Sequence, residues 1–190
     1  MIFPPPPYSA GDVWTYRMDD SSSPSPDFPL LSLVKRGANA LWSSDFQTPP
    51  MMWSEAEGYW GIGKNTTSNE LVSLLNGTSW KPGEVLLHPK GGGSPSGLVI
   101  CWTAPQSLQI DLSYTLGRAS PHGNGIGYEI LRRTSGGDTR LVALQNTGSS
   151  LANEFTGMQV ARGGSVACRV GMRTGRVDSS SLAPWTAAGI

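Results

Sequence analysis

At 190 residues the chain is long enough for one domain with a full apolar core, and its 24 glycines, 15 prolines and seven tryptophans suit many turns between short strands better than wholesale disorder. Formal net charge is zero and only 15% of residues are charged, so the electrostatic footprint of a nucleic-acid or anionic-membrane binder is missing. No apolar run reaches transmembrane length.

The start, MIFPPPPYSAGD, has neither the basic n-region nor the apolar h-region of a secretory signal, so a chain made and kept soluble in a cytoplasm is expected. Pro4 to Pro7 predict a short polyproline II segment that cannot donate ladder hydrogen bonds, read as an extended N-terminal arm over residues 1–10. A first strand is expected at Val13 to Met18 and a Ser/Pro/Asp loop over Asp19 to Pro29. Strand character resumes at Leu30 to Val34 and Ala40 to Trp42. From Asp45 to Asn65 the pattern turns irregular and aromatic, fitting a long structured loop or a set of bent short strands. Asn69 to Leu75 (NELVSLL) is the one helix candidate.

Beyond Trp80 strands are expected near Val85 to His88, Leu98 to Ala104, Leu108 to Leu116, Gly125 to Arg133, Thr139 to Gln145, Ala152 to Val160, Ser165 to Met172 and Leu182 to Ile190. Leu108, Ile110, Leu112, Tyr114 and Leu116 alternate with Gln109, Asp111, Ser113 and Thr115, the period of a half-buried strand. Tyr128 and Ile130, then Val166, Cys168, Val170 and Met172, make further alternating faces. Gly123-Asn124-Gly125, Gly136-Gly137-Asp138 and Gly163-Gly164 supply turns. This many short strands predict a single all-β, antiparallel domain over 11–190, either two packed sheets or a barrel. Cys101 and Cys168 sit in apolar runs and are read as buried free thiols.

Leu87-His88-Pro89, a Gly-rich loop and then Leu98-Val-Ile-Cys-Trp-Thr-Ala-Pro105 resemble a recurrent jelly-roll module, in which a His-Pro-Gly loop leads into a Val-Val-Arg-Trp-Thr-Ala-Pro strand. The resemblance extends to Tyr8-Ser-Ala10 and Val13-Trp14 at the start, and to Ala161-Arg-Gly-Gly-Ser165 and Asp178-Ser-Ser near the end. Lys90 stands where the module has Gly, and Cys101 where it has Arg. The resemblance implies an antiparallel jelly-roll β-sandwich like that of the carbohydrate-binding modules in bacterial surface and secreted proteins. Related jelly rolls serve as phage shell proteins.

Catalysis needs a nucleophile with its base, a metal cluster or a placed carboxylate pair. The chain offers only His88 and His122 and no nucleophile elbow, so no catalytic residue is assigned. His88, before Pro89, is read as a loop cap and His122 as an exposed hairpin residue. Asp178, with Asp111 and Asp138, is the candidate set for calcium, a hard cation that takes clustered oxygens, but without a compact Asp-rich loop Asp178 is read as a turn cap and no metal or cofactor is assigned. Asn65-Thr-Thr67 and Asn76-Gly-Thr78 match the glycosylation sequon. Trp53, Glu55, Glu57, Tyr59 and Trp60 keep the company of a sugar platform, where rings stack on sugar faces and carboxylates accept hydroxyl protons; the same aromatics also suit packing at the end of a sandwich or a subunit contact.

Two functions follow as expectations, both non-enzymatic. The first is a phage virion protein, made in a host cytoplasm, that decorates or cements a capsid. Its partners would be the major capsid protein and copies of itself, as a homotrimer, gripped through Met1, Ile2, Phe3 and Tyr8, with Trp185 and Ile190 as further contacts. The second is a carbohydrate-binding module, extracellular or at a cell surface, with a glycan as its ligand.

Overall fold

The alternation in Leu108–Leu116 becomes a strand with two faces: Ile110, Leu112, Tyr114 and Leu116 are buried while Gln109, Asp111 and Thr115 are exposed. In a computed structural model, residues 14–19, 33–34, 51–53, 61–72, 79–88, 97–117, 126–147, 151–171 and 183–188 are described. Their strands, in chain order, are β1 (Trp14–Asp19), β2 (Leu33–Val34), β3 (Met51–Trp53), β4 (Gly61–Lys64), β5 (Leu71–Val72), β6 (Ser79–Trp80) and β7 (Val85–His88). They continue as β8 (Gly97–Thr103), β9 (Leu108–Leu116), β10 (Ile126–Thr134), β11 (Gly137–Thr147), β12 (Leu151–Val160), β13 (Ser165–Gly171) and β14 (Ala183–Ala188).

These strands form a five-stranded sheet ordered β1-β8-β13-β10-β11, a seven-stranded sheet ordered β12-β9-β14-β7-β4-β3-β2, and a separate β5-β6 pair. All pairings are antiparallel. From β7 onward the chain crosses between the sheets at every step but the β10–β11 hairpin, in the jelly-roll order. One sheet reads β7-β14-β9-β12 and the other β8-β13-β10-β11, each consistent with two interlocked Greek keys. β1 extends the five-stranded sheet beside β8, and β4, β3 and β2 extend the seven-stranded one beside β7.

The core lies between the sheets. Trp14, Tyr16, Leu98, Ile100, Trp102, Tyr128, Ile130, Val166, Cys168 and Val170 come from one sheet, and Ile62, Val85, Leu87, Ile110, Leu112, Tyr114 and Leu116 from the other. Tyr114 and Tyr128 meet across the gap edge to face, with ring centroids 6.3 Å apart. The opposite face of the five-stranded sheet is buried as well at its centre, where Val99, Cys101, Leu131 and Ala167 cluster. On that face Glu129, itself buried, lies between Arg169 Nη1 at 3.2 Å and Arg140 Nε at 2.9 Å.

Tertiary packing overturns one expected element. Where Asn69 to Leu75 suggested a helix, Leu71 and Val72 form a strand paired with Trp80 and Ser79. Leu71 is buried and Val72 exposed, a period of two. The reason is tertiary: Trp80 is fully buried and its Nε1 donates to Glu84 O at 2.8 Å, so packing of this hairpin outweighs the weak helical propensity of a short segment. Residues 73–78 lie outside the described ones. The chain then turns through Lys81-Pro82-Gly83-Glu84, with Glu84 N donating to Lys81 O at 3.1 Å and Gly83 at φ +80°, a left-handed position suited to glycine after proline.

Asn65 ties this hairpin to β4. Its Nδ2 donates to Asn69 O at 2.9 Å and Trp80 O at 2.7 Å, while its Oδ1 accepts from Thr67 N at 3.0 Å and Thr67 Oγ1 at 2.7 Å. The residue is completely buried. The first sequon asparagine is therefore a structural knot whose amide is already committed, inaccessible to a transferase in the folded state.

Candidate functional site

Of the residues singled out in the sequence, Met1, Ile2, Phe3, Tyr8, Glu55, Glu57, Tyr59, Trp60, His122, Asp178 and Ile190 lie outside the described residues. Trp53 ends β3, in register with Leu33 of β2 and Ile62 of β4. Trp185 pairs with Val85 and with Leu116. His88 is buried at the end of β7. Cys101, standing where the jelly-roll module has Arg, faces Ala167 on the buried outer side of its sheet. Cys168 faces Ile100 and the core. The two thiols are free, buried and on opposite faces, so they cannot pair.

Asp111 and Asp138 stand on different sheets, each with another task. Asp111 Oδ1 accepts from Gly157 N at 2.7 Å, and Asp138 pairs with Arg133 at 3.3 Å. Among the described residues no group of three or more His, Cys, Asp or Glu could hold a metal ion. Between the sheets the core leaves a void of about 10 Å³ beside Trp14, Trp102 and Tyr114, room for no more than a single water.

One exposed surface among the described residues is the outer face of β9 and β12, with the sandwich end beside it. Three connections meet there: residues 104–107 between β8 and β9, 135–136 between β10 and β11, and 161–164 between β12 and β13. Backbone bonds zip two of them together, Ala104 N to Gly164 O at 2.8 Å and Gly163 N to Ala104 O at 2.9 Å. Arg162 N adds a bond to Ser107 Oγ at 3.0 Å. The β10–β11 turn is held by Thr134 Oγ1, which accepts from Gly136 N at 3.2 Å and donates to Gly137 O at 3.1 Å. Short bonded loops on a rigid sandwich give this end a preset shape.

Along the adjoining face Gln159 Nε2 donates to Gln109 Oε1 at 2.9 Å. That pairing orients both amides and leaves Gln109 Nε2 and Gln159 Oε1 pointed toward further partners. Gln159 also borders an open hollow of about 360 Å³, lined with it by Ser107, Leu108, Arg132, Val160 and Ala161. Arg132 reaches this hollow because it continues the core-side row of Tyr128 and Ile130, in register with Val166 of β13 and Thr139 of β11. It stands where the core opens to solvent. Its Nε is buried without a hydrogen-bond partner, and no carboxylate of the described residues pairs with it. Its neighbour Arg133, on the opposite face, has Asp138.

The sequence reading missed Arg132. The signal was available, since carrying the Tyr128–Ile130 alternation two residues further puts a cation on the core-side row.

No family model matches the chain. No curated protein matches it in sequence. Among solved structures it is similar to TmCBM61 in complex with β-1,4-galactotriose, at 12% identity and a TM-score of 0.37, over 68% of this chain and 81% of that one.

Proposed function

We propose that the chain is a non-catalytic binding module for carbohydrate, which takes a saccharide across the corner where the β9–β12 face meets the short-loop end of the sandwich. The observation that carries this reading is the sharing of Gln159 between the amide row and the open hollow. Sugar hydroxyls both donate and accept, and amide side chains held in a fixed pair present both functions at once. Leu108, Val160 and Ala161 give the hollow an apolar floor for the C–H face of a ring. The resemblance of residues 87–105 to jelly-roll modules points the same way. Trp53, Glu55, Glu57, Tyr59 and Trp60 remain a second proposed stacking region.

The capsid-decoration expectation puts its grip on Met1, Ile2, Phe3 and Tyr8, which lie outside the described residues.

Screening the full chain on a glycan array tests the binding-module reading. The expected result is retention of a restricted set of glycans, weakened about tenfold or more in a Gln109→Ala/Gln159→Ala variant and separately in Trp60→Ala if the aromatic region contributes. A folded protein that retains no glycan at all overturns it.

A further inference from the structure

We infer that the hollow at the short-loop end is an oxyanion subsite in which Arg132 receives the carboxylate of an acidic saccharide; this deepens the carbohydrate-binding reading and rests on it.

The inference starts from an imbalance of charge. Arg133 is matched by Asp138, and Arg140 and Arg169 share Glu129, while among the described residues no acid pairs with Arg132, which stands between the sheets. A guanidinium drawn partly out of water without a counter-charge is costly to keep in a folded protein. Apolar side chains already fill the same row at Tyr128 and Ile130, and another at 132 would close the sandwich at lower cost. The cation instead opens into a hollow whose six lining residues include no acid.

The groups around it complete a receptor for a planar anion. Arginine presents a rigid fork of N–H donors that matches a carboxylate in two parallel bonds. Ser107 Oγ already accepts from Arg162 N, which leaves its hydroxyl proton free to donate into the hollow. Arg162, exposed on the same rim, adds a second positive charge to that end. Gln159 offers a hydroxyl partner on the side facing Gln109, where the neutral part of the same sugar or its neighbour would lie. The hollow thus suits one acidic sugar residue, with the rest of the chain running onto the β9–β12 face.

Calorimetric titration of the full-length protein with trigalacturonate, a sulfated trisaccharide and neutral β-1,4-galactotriose, at low and at moderate salt, tests this. Trigalacturonate is expected to bind and to weaken with salt. In Arg132→Gln its affinity should fall roughly 10- to 100-fold, with Arg132→Lys in between because the charge stays but the fork is lost, and binding of the neutral trisaccharide, which has no carboxylate to lose, should fall far less than that of trigalacturonate. The same pattern with the sulfated probe alone keeps the subsite and changes its anion to a sulfate ester. Thermal unfolding without ligand supplies a second readout: removing an unmatched cation should leave the unfolding midpoint of Arg132→Gln unchanged or raised. A large drop in that midpoint identifies a structural arginine and overturns the inference. Equal binding of trigalacturonate by wild type and Arg132→Gln also overturns it, and if neutral sugars still bind, the broader carbohydrate reading survives. Absence of binding to every probe removes both.

Discussion

Cys168 lies opposite Ile100 in the register of β13 and β8, so its thiol faces the core between the sheets. Burial, and then the negative charge of Glu129, push its pKa up to about 12 from an ordinary value of 9.0. The unfolded chain ionises this thiol at a lower pH than the folded one. Its contribution to stability is therefore intact below about pH 9 and is lost as pH rises toward 12, at a limiting slope of about 1.4 kcal/mol per pH unit. Burial also raises Tyr114, which adds a loss of the same sign above about pH 10. Urea unfolding at pH 7.5, 9 and 10 is expected to show stability falling between the last two, with a shallower fall in Cys168→Ala. An identical fall in the variant would place its source elsewhere. That both cysteines are buried thiols was legible from their apolar surroundings. Their opposite faces were not, because that depends on which residue of β8 pairs with which residue of β13. Arg132 was legible only through alternation, and Asn65 only as a sequon, since its four hydrogen bonds reach three residues, Thr67, Asn69 and Trp80, that only the folded hairpin brings together.

At the level of elements, β12 is the edge of the seven-stranded sheet, and its pairing with β9 slips between Phe155 and Met158. Gly157 in the slip has φ +68° and donates its N–H to Asp111 Oδ1 at 2.7 Å, so a side chain of the neighbouring strand holds the bulge in place. A bulge of this kind re-aims the strand end and makes a long edge a poorer template for another chain. It also sets Gln159, two residues on, opposite Gln109. Gly157→Ala should destabilise the fold by about 1–2 kcal/mol through the left-handed backbone position, and the added Cβ would come within 3.2 Å of Gln109 Nε2. Its effect on glycan retention should then exceed that of an equally destabilising core substitution; equal effects would mean that the bulge does not position the amide pair. Strands β7 to β14 were each visible as apolar alternation or an apolar run, with boundaries shifted by a residue or two. The bulge was not, because one glycine in a strand pattern does not reveal which partner carboxylate waits opposite it. The β5–β6 pair was missed because LVSLL carries apolar residues at spacings a helix also uses.

For the whole molecule, the number of strands pointed to two packed antiparallel sheets or a barrel, but the jelly-roll order came from the resemblance of residues 87–105. Periodicity alone could not supply it, since β7 pairs with β14 and β8 with β13 across most of the domain. The same non-local pairing makes β1 decisive for the fold. It is the edge of the five-stranded sheet, in register with β8 from Trp14 opposite Trp102 to Asp19 opposite Gly97. It sends Trp14 and Tyr16 into the core, at 9% and 0% exposure. Losing a buried aromatic side chain costs about 3–5 kcal/mol, and a domain of ordinary stability holds only about 5–15 kcal/mol in all. Removing residues 1–19 should thus abolish cooperative unfolding, whereas a chain that starts at residue 11 keeps β1 whole and should unfold in urea with the midpoint of the full protein. Tryptophan fluorescence follows both transitions, and dispersion of the amide proton signals reports whether a packed core survives. A cooperative transition in the shorter chain would show that the two sheets close without β1; a lost transition in the longer one would move the domain boundary into the proline-rich segment.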